Sequence, residues 1–374
     1  MINILAYSAG RSDLDRWQPF IMSLISNKSI YLKFILGDAH FDKNFGLTYK
    51  IFKKNYNNFK IRKFKKSESL IKHLINDTVE FEKLLKVKKY DFIILLGDRY
   101  EILNLAYLST IKKIPIIHIY GGAITTGAID NQIRNAVSKL SHYHLVACSL
   151  YKKRLIDMGE SKNKIKIIGV PNLKQLTLNK NKYSKNDIES KIGFKISYPT
   201  AIITIHPVTL YENESMRILK SIFKLVKEFN INTIFTYPNN DPGSAEIIKS
   251  INKFYIDNKK ICIIKKNFEN DLFASLLNKI DLMIGNSSSG IVESPSFKLP
   301  TINIGNRQNG KLIPKNVICC QSNYQAIKKS IIKCLDINFK RKLSNFKNPY
   351  ESNDNLNLSK IINNLMNNKS LIIK

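Results

Sequence analysis

The stretch from Ile116 to Asn135 reads IIHIYGGAITTGAIDNQIRN. Its first residues are apolar and rich in isoleucine, as is typical of a buried parallel strand. Gly121 and Gly122 follow, and glycine lets a backbone turn sharply and come close to a ligand. After a Thr-rich loop, Asp130 begins a helical pattern. A strand, a glycine turn and a helix in this order predict one βα unit of a doubly wound α/β fold.

The same alternation of short apolar runs and helical periodicity continues along the chain in two series. The first series predicts strands at 2–7, 31–36, 91–96, 114–120, 143–148 and 165–169, with helices at 14–25, 68–85, 100–110, 130–140 and 149–158. The second predicts strands at 201–205, 233–237, 260–265, 282–285 and 301–305, with helices at 214–229, 244–252, 272–278, 290–297 and 324–335. A last helix is predicted at 356–366.

The length of 374 residues exceeds the roughly 250–300 residues that one core usually supports. We therefore predict an α/β fold of two Rossmann-like domains that face a central cleft, the GT-B-type architecture. The predicted ranges are an N-terminal domain at 1–172, a Lys-, Asn- and Ser-rich linker with some local helix at 173–200, a C-terminal nucleotide-binding domain at 201–345 and a helical tail at 346–374.

The net charge is +31, from 60 Lys and Arg against 29 Asp and Glu. Taken alone, this excess suggests a nucleic acid or an anionic membrane surface as partner. The charge is almost all lysine and is spread along the chain, without the arginine and aromatic interleaving that reads bases. We therefore predict no nucleic-acid partner, and expect the positive field to attract an anionic small molecule.

The compartment and the cofactors are also constrained by composition. The apolar runs are far shorter than the roughly 20 residues that span a bilayer, so no stable membrane insertion is expected. Met1 leads directly into a predicted strand without a secretory signal, which favours a cytoplasmic location. The five cysteines are scattered without CxxC spacing, so we predict buried thiols, no metal site and no cofactor.

The segment Gly97 to Glu101, GDRYE, stands where a buried strand gives way to a helix. An acid at the carboxyl end of a parallel strand lies on the ligand side of the sheet, where Asp98 can act as a general acid or base. Asp is equally suited to cap the helix that follows. His118, within the strand of the opening stretch, is either a core histidine or an active one.

Asp130 and Arg134 lie on the helix that follows the glycine turn. They are candidates for binding or chemistry, or simply a helix cap and a surface cation. His206 follows the first predicted strand of the second series, in IHPVT at 205–209. A histidine there can bind phosphate or carry a proton, or be a core or loop residue.

The segment from Gly285 to Glu293 reads GNSSSGIVE. Small hydroxyl residues and glycine between a strand and a helix expose N–H groups and the positive end of the helix dipole, which suits a diphosphate. Glu293 could then accept hydrogen bonds from ribose hydroxyls. The alternative is a Ser-rich turn, and no Walker A lysine follows. The candidate nucleotide-binding residues here are Ser287, Ser288, Ser289, Gly290 and Glu293.

These motifs resemble those of the hydrolysing UDP-N-acetylglucosamine 2-epimerases of the sialic acid and legionaminic acid pathways. The resemblance covers most of the chain and extends to AGRSD at 9–13, GDAHFDKNFGLT at 37–48, YPNNDPG at 237–243 and NIGNRQNG at 303–310. It implies a UDP-sugar substrate, loss of UDP from C1 as a proton leaves C2, and hydration to a 2-epimerised amino sugar for nonulosonic acid and surface glycan synthesis. It also implies a homodimer.

By the same resemblance, Asp98 and Asp130 match catalytic acids. Arg11 and His206 match groups on the phosphate side of the substrate, and His206 is a catalytic candidate as well. Gly122, in the turn that lets the backbone approach a ligand, and Arg134, on the helix that follows, are the candidate substrate-binding residues. The serine and glycine segment, with Glu293, matches the nucleotide cradle.

The sequence departs from the family pattern within the opening stretch. Ala123 stands where the family has a catalytic Glu, while Asn131 replaces an acid and Asn135 a histidine. Glu101 and Asp15 are therefore candidates for a replacement acid. The departures leave two alternatives: a GT-B glycosyltransferase that uses a UDP-sugar donor, and a catalytically altered homologue that binds sugar nucleotides.

Overall fold

The computed structural model describes residues 1–10, 13–41, 47, 49–50, 70–124, 130–208, 214–238, 243–266, 268–351, 357–368 and 370. They form two compact units. Unit 1 takes in the described residues of 1–123, 130–172 and 357–370, and unit 2 takes in 124 and those of 173–351.

The strands are β1 (Ile2–Ser8), β2 (Ile30–Leu36), β3 (Phe92–Leu96), β4 (Ile116–Ile119), β5 (Tyr143–Val146), β6 (Ile165–Ile167), β7 (Thr200–Thr204), β8 (Asn232–Thr236), β9 (Cys262–Lys265), β10 (Leu282–Gly285), β11 (Thr301–Ile304) and β12 (Val317–Cys320). The helices are α1 (Leu14–Ile25), α2 (Leu70–Val87), α3 (Tyr100–Ile111), α4 (Asp130–Leu140), α5 (Ser149–Asp157), α6 (Asn172–Leu178), α7 (Lys185–Ile192), α8 (Glu214–Glu228), α9 (Ser244–Asp257), α10 (Asn270–Leu277), α11 (Ser289–Val292), α12 (Tyr324–Leu335), α13 (Ile337–Lys342) and α14 (Leu358–Asn367).

The sheet of unit 1 has the order β2-β1-β3-β4-β5-β6, and the strands that pair are parallel. Its strands are short apolar runs because helices cover both faces. Alternate residues of β1 show this: Ile4 belongs to a core cluster with Trp17 of α1, while Leu5 belongs to another with Phe81 of α2. From β1 the chain moves to β2 on one side, and it then crosses to β3 on the other side of β1. The crevice at the carboxyl ends of β1 and β3 is therefore the expected ligand position.

The sheet of unit 2 has the order β12-β11-β10-β7-β8-β9, again with parallel pairing. The order reverses between β7 and β10, so the ligand position expected in this unit is at the carboxyl ends of those two strands. Both sheets confirm the predicted α/β class with two Rossmann-like units. The central cleft between the units stays a prediction.

The segment predicted as a linker carries α6 and α7 in the structure. A capping box joins Ser184 to Asp187 at the start of α7, and Gly193 in the left-handed region ends the helix. Ile188 and Ile192 of α7 are buried in a cluster that also contains residues of α10 and β10. Most of the segment thus packs within unit 2. Within the described part of the chain, no helix combines the length and the apolar character needed to cross a membrane.

Candidate active site

The turn after β1 is closed by a buried carboxylate. Asp13 accepts hydrogen bonds from the backbone N–H groups of Ala9 and Gly10, both at 3.2 Å. Burial raises the pKa of Asp13, and the nearby charge of Arg16 opposes that rise. Arg11 lies outside the described residues, as does the side chain of Asp15.

Asp98 follows β3 and is paired with Arg134 of α4. One guanidinium nitrogen of Arg134 donates to the Asp98 carboxylate. The other donates to the Ala123 carbonyl at 2.7 Å and to Asn131 Oδ1 at 2.9 Å. Arg99 occupies the N-cap position of α3, so Asp98 does not serve as that cap. Asp98 is therefore not a helix-capping acid, and Arg134 is not a surface cation.

Exposure differs sharply across the Asp98–Arg134 pair. The side chain of Arg134 is 3% exposed, whereas that of Asp98 is 28% exposed. Burial lowers the pKa of Arg134 to about 10, which still leaves the guanidinium charged at neutral pH. A fixed buried cation therefore holds a carboxylate that solvent or a ligand can reach.

Asp130 is the first residue of α4, one turn before Arg134. Burial raises the pKa of Asp130, and the charge of Arg99 works in the opposite direction. A carboxyl group poised in this way can exchange protons nearer to neutral pH than an exposed aspartate can.

Glu101 is held by its sequence neighbour Arg99. Nε of Arg99 donates to Oε2 at 3.1 Å, and a terminal nitrogen donates to Oε1 at 2.8 Å. The Glu101 side chain is 6% exposed. The predicted replacement acid therefore has both oxygens engaged in a bidentate ion pair.

The glycine turn after β4 needs its glycines. Gly122 has φ +77°, and a Cβ there would lie 2.4 Å from the Tyr151 carbonyl oxygen. Tyr120 also has a positive φ, of 68°. A terminal nitrogen of Arg154 donates to the Gly122 carbonyl at 3.3 Å. With Arg134 on the Ala123 carbonyl, two arginines therefore fix the backbone of this turn.

His118 is a core histidine with both ring nitrogens bonded. Nε2 donates to the Gly97 carbonyl at 2.8 Å, which leaves Nδ1 to accept from the Ser138 hydroxyl at 3.0 Å. Burial lowers the pKa of His118 to about 3. The neutral ring thus ties β4 to the end of β3 and to α4.

In unit 2, His206 follows β7 and is clamped by Asn286, which follows β10. Asn286 Oδ1 accepts from the His206 N–H at 2.7 Å, and Nδ2 donates to the His206 carbonyl at 2.9 Å. Asn286 is fully buried. Burial lowers the pKa of His206 to about 4, and the charge of Arg307 acts in the same direction. The imidazole is therefore neutral at pH 7, at the point where the strand order reverses.

The serine segment forms a tight turn into a single helical turn, α11. The N–H of Gly290 donates to the Ser287 carbonyl at 3.2 Å, and the N–H of Ser289 donates to the Ser287 hydroxyl at 3.4 Å. Ser288 is the N-cap of α11 and Glu293 its C-cap. A 3-10 turn follows at Ser294–Phe297, so the continuous helix predicted at 290–297 is wrong in detail.

Two glycines set the packing of this turn. Gly285 has φ +148°, and a Cβ there would lie 1.9 Å from the Thr204 carbonyl oxygen of β7. A Cβ on Gly290 would lie 2.9 Å from Cγ2 of Thr301. A side chain at position 285 would therefore collide with the backbone of β7, whereas one at position 290 would require the Thr301 side chain to shift.

Sequence reasoning missed the residues that frame these groups. In unit 1 these are Arg16, Arg99 and Arg154. In unit 2, Arg307 and Gln308 donate to the Asn286 carbonyl at 3.2 and 2.7 Å. The sequence did carry a signal for the arginines. Only nine of the 60 cationic residues are arginine, so each arginine stands out against the lysines. Among the described residues, no three His, Cys, Asp or Glu side chains are grouped to hold a metal ion.

Residues 23–365 match the model of the UDP-N-acetylglucosamine 2-epimerase family. The chain belongs to that family. A Campylobacter jejuni relative, named GDP/UDP-N,N′-diacetylbacillosamine 2-epimerase (hydrolyzing), is 35% identical over 334 residues, which cover 86% of this chain and 84% of the relative. The Legionella pneumophila UDP-N,N′-diacetylbacillosamine 2-epimerase (hydrolyzing) is 32% identical, with 87% of each chain covered.

The fold agrees with this family membership. The crystal structure of UDP-GlcNAc 2-epimerase from Neisseria meningitidis bound to UDP-GlcNAc superposes with a TM-score of 0.81. The match covers 98% of this chain and 100% of that one, at 19% sequence identity. At this identity the likeness shows the fold, which is the GT-B-type pair of Rossmann-like units.

Proposed function

We propose that the protein is a hydrolysing nucleotide-sugar 2-epimerase whose substrate is UDP-N,N′-diacetylbacillosamine or UDP-N-acetylglucosamine. The free 2-epimerised amino sugar would enter nonulosonic acid and surface glycan synthesis. The observation that carries the proposal is the reachable Asp98 carboxylate, held by buried Arg134 at the carboxyl edge of the unit 1 sheet, in a chain of this family. The names of the two bacterial relatives favour the diacetamido sugar.

The reaction breaks the bond from C1 to the UDP oxygen while a base takes the C2 proton, which leaves a C1=C2 double bond. Water then adds its oxygen at C1, and an acid delivers a proton to C2 from the opposite face. Two proton transfers at one carbon call for two positioned acid–base groups. Asp98 and Asp130 fill these roles in the proposal, since Asp98 is reachable and burial raises the pKa of Asp130.

The UDP part of the substrate is assigned to unit 2 in the proposal. Helix α11 has only four residues, so individual N–H and hydroxyl groups, rather than a helix dipole, would hold the diphosphate. Ser287, Ser288, Ser289 and Gly290 supply those groups, and neutral His206 can donate one hydrogen bond. Glu293 would bind the ribose. Arg11 would bind phosphate, and Gly122 and Arg134 would lie beside the sugar.

The test is to incubate the protein with each sugar nucleotide in D2O and follow the products by NMR. We expect release of UDP together with a free sugar that has inverted C2 and carries one deuterium there. A donor that stays intact until an acceptor is added would support a glycosyltransferase instead. Tight UDP binding with no turnover of any donor would support an altered binding homologue. The cytoplasmic location and the absence of a nucleic-acid partner stay predictions.

The proposal includes a homodimer formed through unit 1. Helices α2 and α3 pack together, with the Asn104 amide donating to the Leu74 carbonyl at 2.9 Å. They expose large apolar side chains in a regular pattern: Ile71, Ile75 and Val79 on α2, and Tyr107 and Ile111 on α3. In a chain of net charge +31, most surfaces of two copies repel each other. An uncharged apolar stripe is self-complementary, which suits a two-fold contact.

Light scattering on the purified protein tests the dimer. Ile75→Lys should shift the mass from dimer to monomer, because it places a charge at the centre of the contact. Ile332→Lys is the matched control, since Ile332 lies in unit 2 and is similarly exposed, 53% against 57% for Ile75. A wild-type protein that stays monomeric at high concentration would refute this part of the proposal.

A further inference from the structure

Arg99 and Glu101 form a closed ion pair at the start of α3. Both carboxylate oxygens accept from the guanidinium, in the fork geometry that makes arginine–carboxylate pairs strong. The Glu101 side chain is 6% exposed, whereas that of Arg99 is 44% exposed. The guanidinium also lies 5.0 Å from the centre of the Tyr100 ring. The carboxylate is thus the buried anchor, and the cation is the part that reaches the surface of the site.

The charge of Arg99 acts on the carboxylates at the carboxyl edge of the sheet. It opposes the effect of burial on both Asp13 and Asp130. Arg16 acts on Asp13 as well, while Arg134 is engaged with Asp98. Within the described part of the chain, the charge of Arg99 is the one that acts on Asp130.

We propose that Glu101 is a positioning residue, which fixes the Arg99 guanidinium at the start of α3 and does not itself exchange protons with the substrate. This inference rests on the proposed function. For Glu101 to act as an acid or base, two charge-assisted hydrogen bonds would have to break around a buried carboxylate, and the buried charge of a broken pair is costly. Arginine cannot serve as the proton source in its place.

A double-mutant cycle in kcat/KM separates the two roles of Glu101. If Glu101 acts through Arg99, Arg99→Gln lowers kcat/KM about 10²-fold, and adding Glu101→Gln changes it by no more than about twofold. If Glu101 is a proton-transfer group, Glu101→Gln costs about 10²–10⁴-fold in either background. That second result would overturn the inference. Should Arg99→Gln alone fail to fold, because it leaves Glu101 unpaired, the titration of Asp130 in the double variant decides.

The second measurement needs no turnover. Asp130 is titrated by NMR in ligand-free protein with ¹³C-labelled aspartate, and Asp130→Asn assigns the signal. Because Arg99 holds the pKa of Asp130 down, the double variant Arg99→Gln with Glu101→Gln should titrate at higher pH than the wild type. The acid limb of kcat/KM should move the same way. An unchanged or lower midpoint would overturn the inference.

The control is the exposed pair of Lys153 and Asp157 on α5, whose side chains are 71% and 56% exposed. Lys153→Gln with Asp157→Asn removes the same two charges away from the site and should leave the Asp130 midpoint and kcat/KM unchanged. A wild-type enzyme that turns over no sugar nucleotide would refute the proposed function alone, and the Asp130 titration would still decide the role of Arg99 and Glu101.

Discussion

The two units have the same kind of parallel sheet, but different groups lie at the carboxyl edges of the two sheets. Unit 1 uses charged pairs at the carboxyl edge of its sheet, Asp98 with Arg134 and Glu101 with Arg99. In unit 2 the central link is neutral, because the Asn286 amide binds both backbone groups of His206, with Arg307 beside it on the Asn286 carbonyl. Charged pairs respond to protons and to neighbouring charge, whereas an amide does not. One unit is therefore suited to proton transfer and the other to holding a ligand in a fixed frame.

The largest expected effect comes from removing a charged group of unit 1. Asp98→Asn should lower kcat/KM by about 10²–10⁴-fold, because in the proposed reaction this carboxylate accepts or delivers the C2 proton. UDP release measured against substrate concentration tests this. Asp157→Asn, which removes an exposed carboxylate of unit 1, should leave kcat/KM unchanged. Equal rates for Asp98→Asn and wild type would contradict the assigned role.

The next largest effect comes from disturbing the packing of β10 against β7 in unit 2. Gly285→Ala places a methyl group against the Thr204 carbonyl, so we expect the free energy of unfolding to fall by about 3 kcal/mol or more. Gly193→Ala is the control, because Gly193 also has a positive φ but has no atom within 4 Å of the added Cβ. It should cost about 1 kcal/mol. Urea unfolding measures both, and equal losses would show that backbone strain alone matters.

A smaller effect tests whether the amide clamp serves binding. Asn286→Ala leaves the N–H and C=O of His206 without these partners in a buried place, which costs about 1–3 kcal/mol. We expect the Kd for UDP to rise about tenfold or more, measured by calorimetry. Asn278→Ala, which removes an exposed bond to Asn181, should leave the Kd as it is. If the clamp only stabilises the fold, Asn286→Ala will lower the melting temperature without changing the Kd for UDP.

The smallest effect per residue concerns acid. Burial lowers the pKa of His118 to about 3 and those of His40 and His206 to about 4. Because these values lie below the unfolded value of about 6.5, their contribution to stability is complete above pH 6.5 and is lost as the pH falls towards 4. At pH 5.5 each of these histidines contributes about 1.4 kcal/mol less to the free energy of unfolding than at pH 7.5.

Two of these histidines lie in unit 1 and one in unit 2, so acid should weaken unit 1 more. Thermal unfolding at pH 7.5 and 5.5 measures the loss. His118→Asn should show a smaller difference between the two pH values than the wild type does. If that variant keeps the full pH dependence, His118 is not one of the groups responsible.

Much of the fold follows from local patterns, because a parallel strand buried on both faces is a short apolar run. Eleven predicted strands overlap β1 to β11. β12 escaped prediction because it is short and only Val317 in it is buried. The bounds of the helices in the predicted linker could not be predicted, for a different reason. Their polar residues dominate the composition, while the few apolar ones, such as Ile188, find their partners far along the chain.

Prediction of the site was limited in the same way, because the sequence does not show which side chains meet. GDRYE contains both acids and Arg99, but the sequence does not show that Arg99 pairs with Glu101, so Glu101 was indistinguishable from a free acid. The Asn286 clamp joins residues 80 positions apart, and no local pattern encodes such a contact. His118 could be assigned only once both of its ring partners, Gly97 and Ser138, were placed.

Helix α14 has a consequence for synthesis on the ribosome. Its buried Leu358, Ile362 and Leu365 share the core cluster of Trp17 and Phe20 on α1. At 5–20 residues per second, translation from the end of β6 to α14 takes roughly 10–40 s. Throughout that interval the nascent N-terminal sheet carries an uncovered apolar surface that a chaperone can recognise. The unit that emerges first is thus the one completed last.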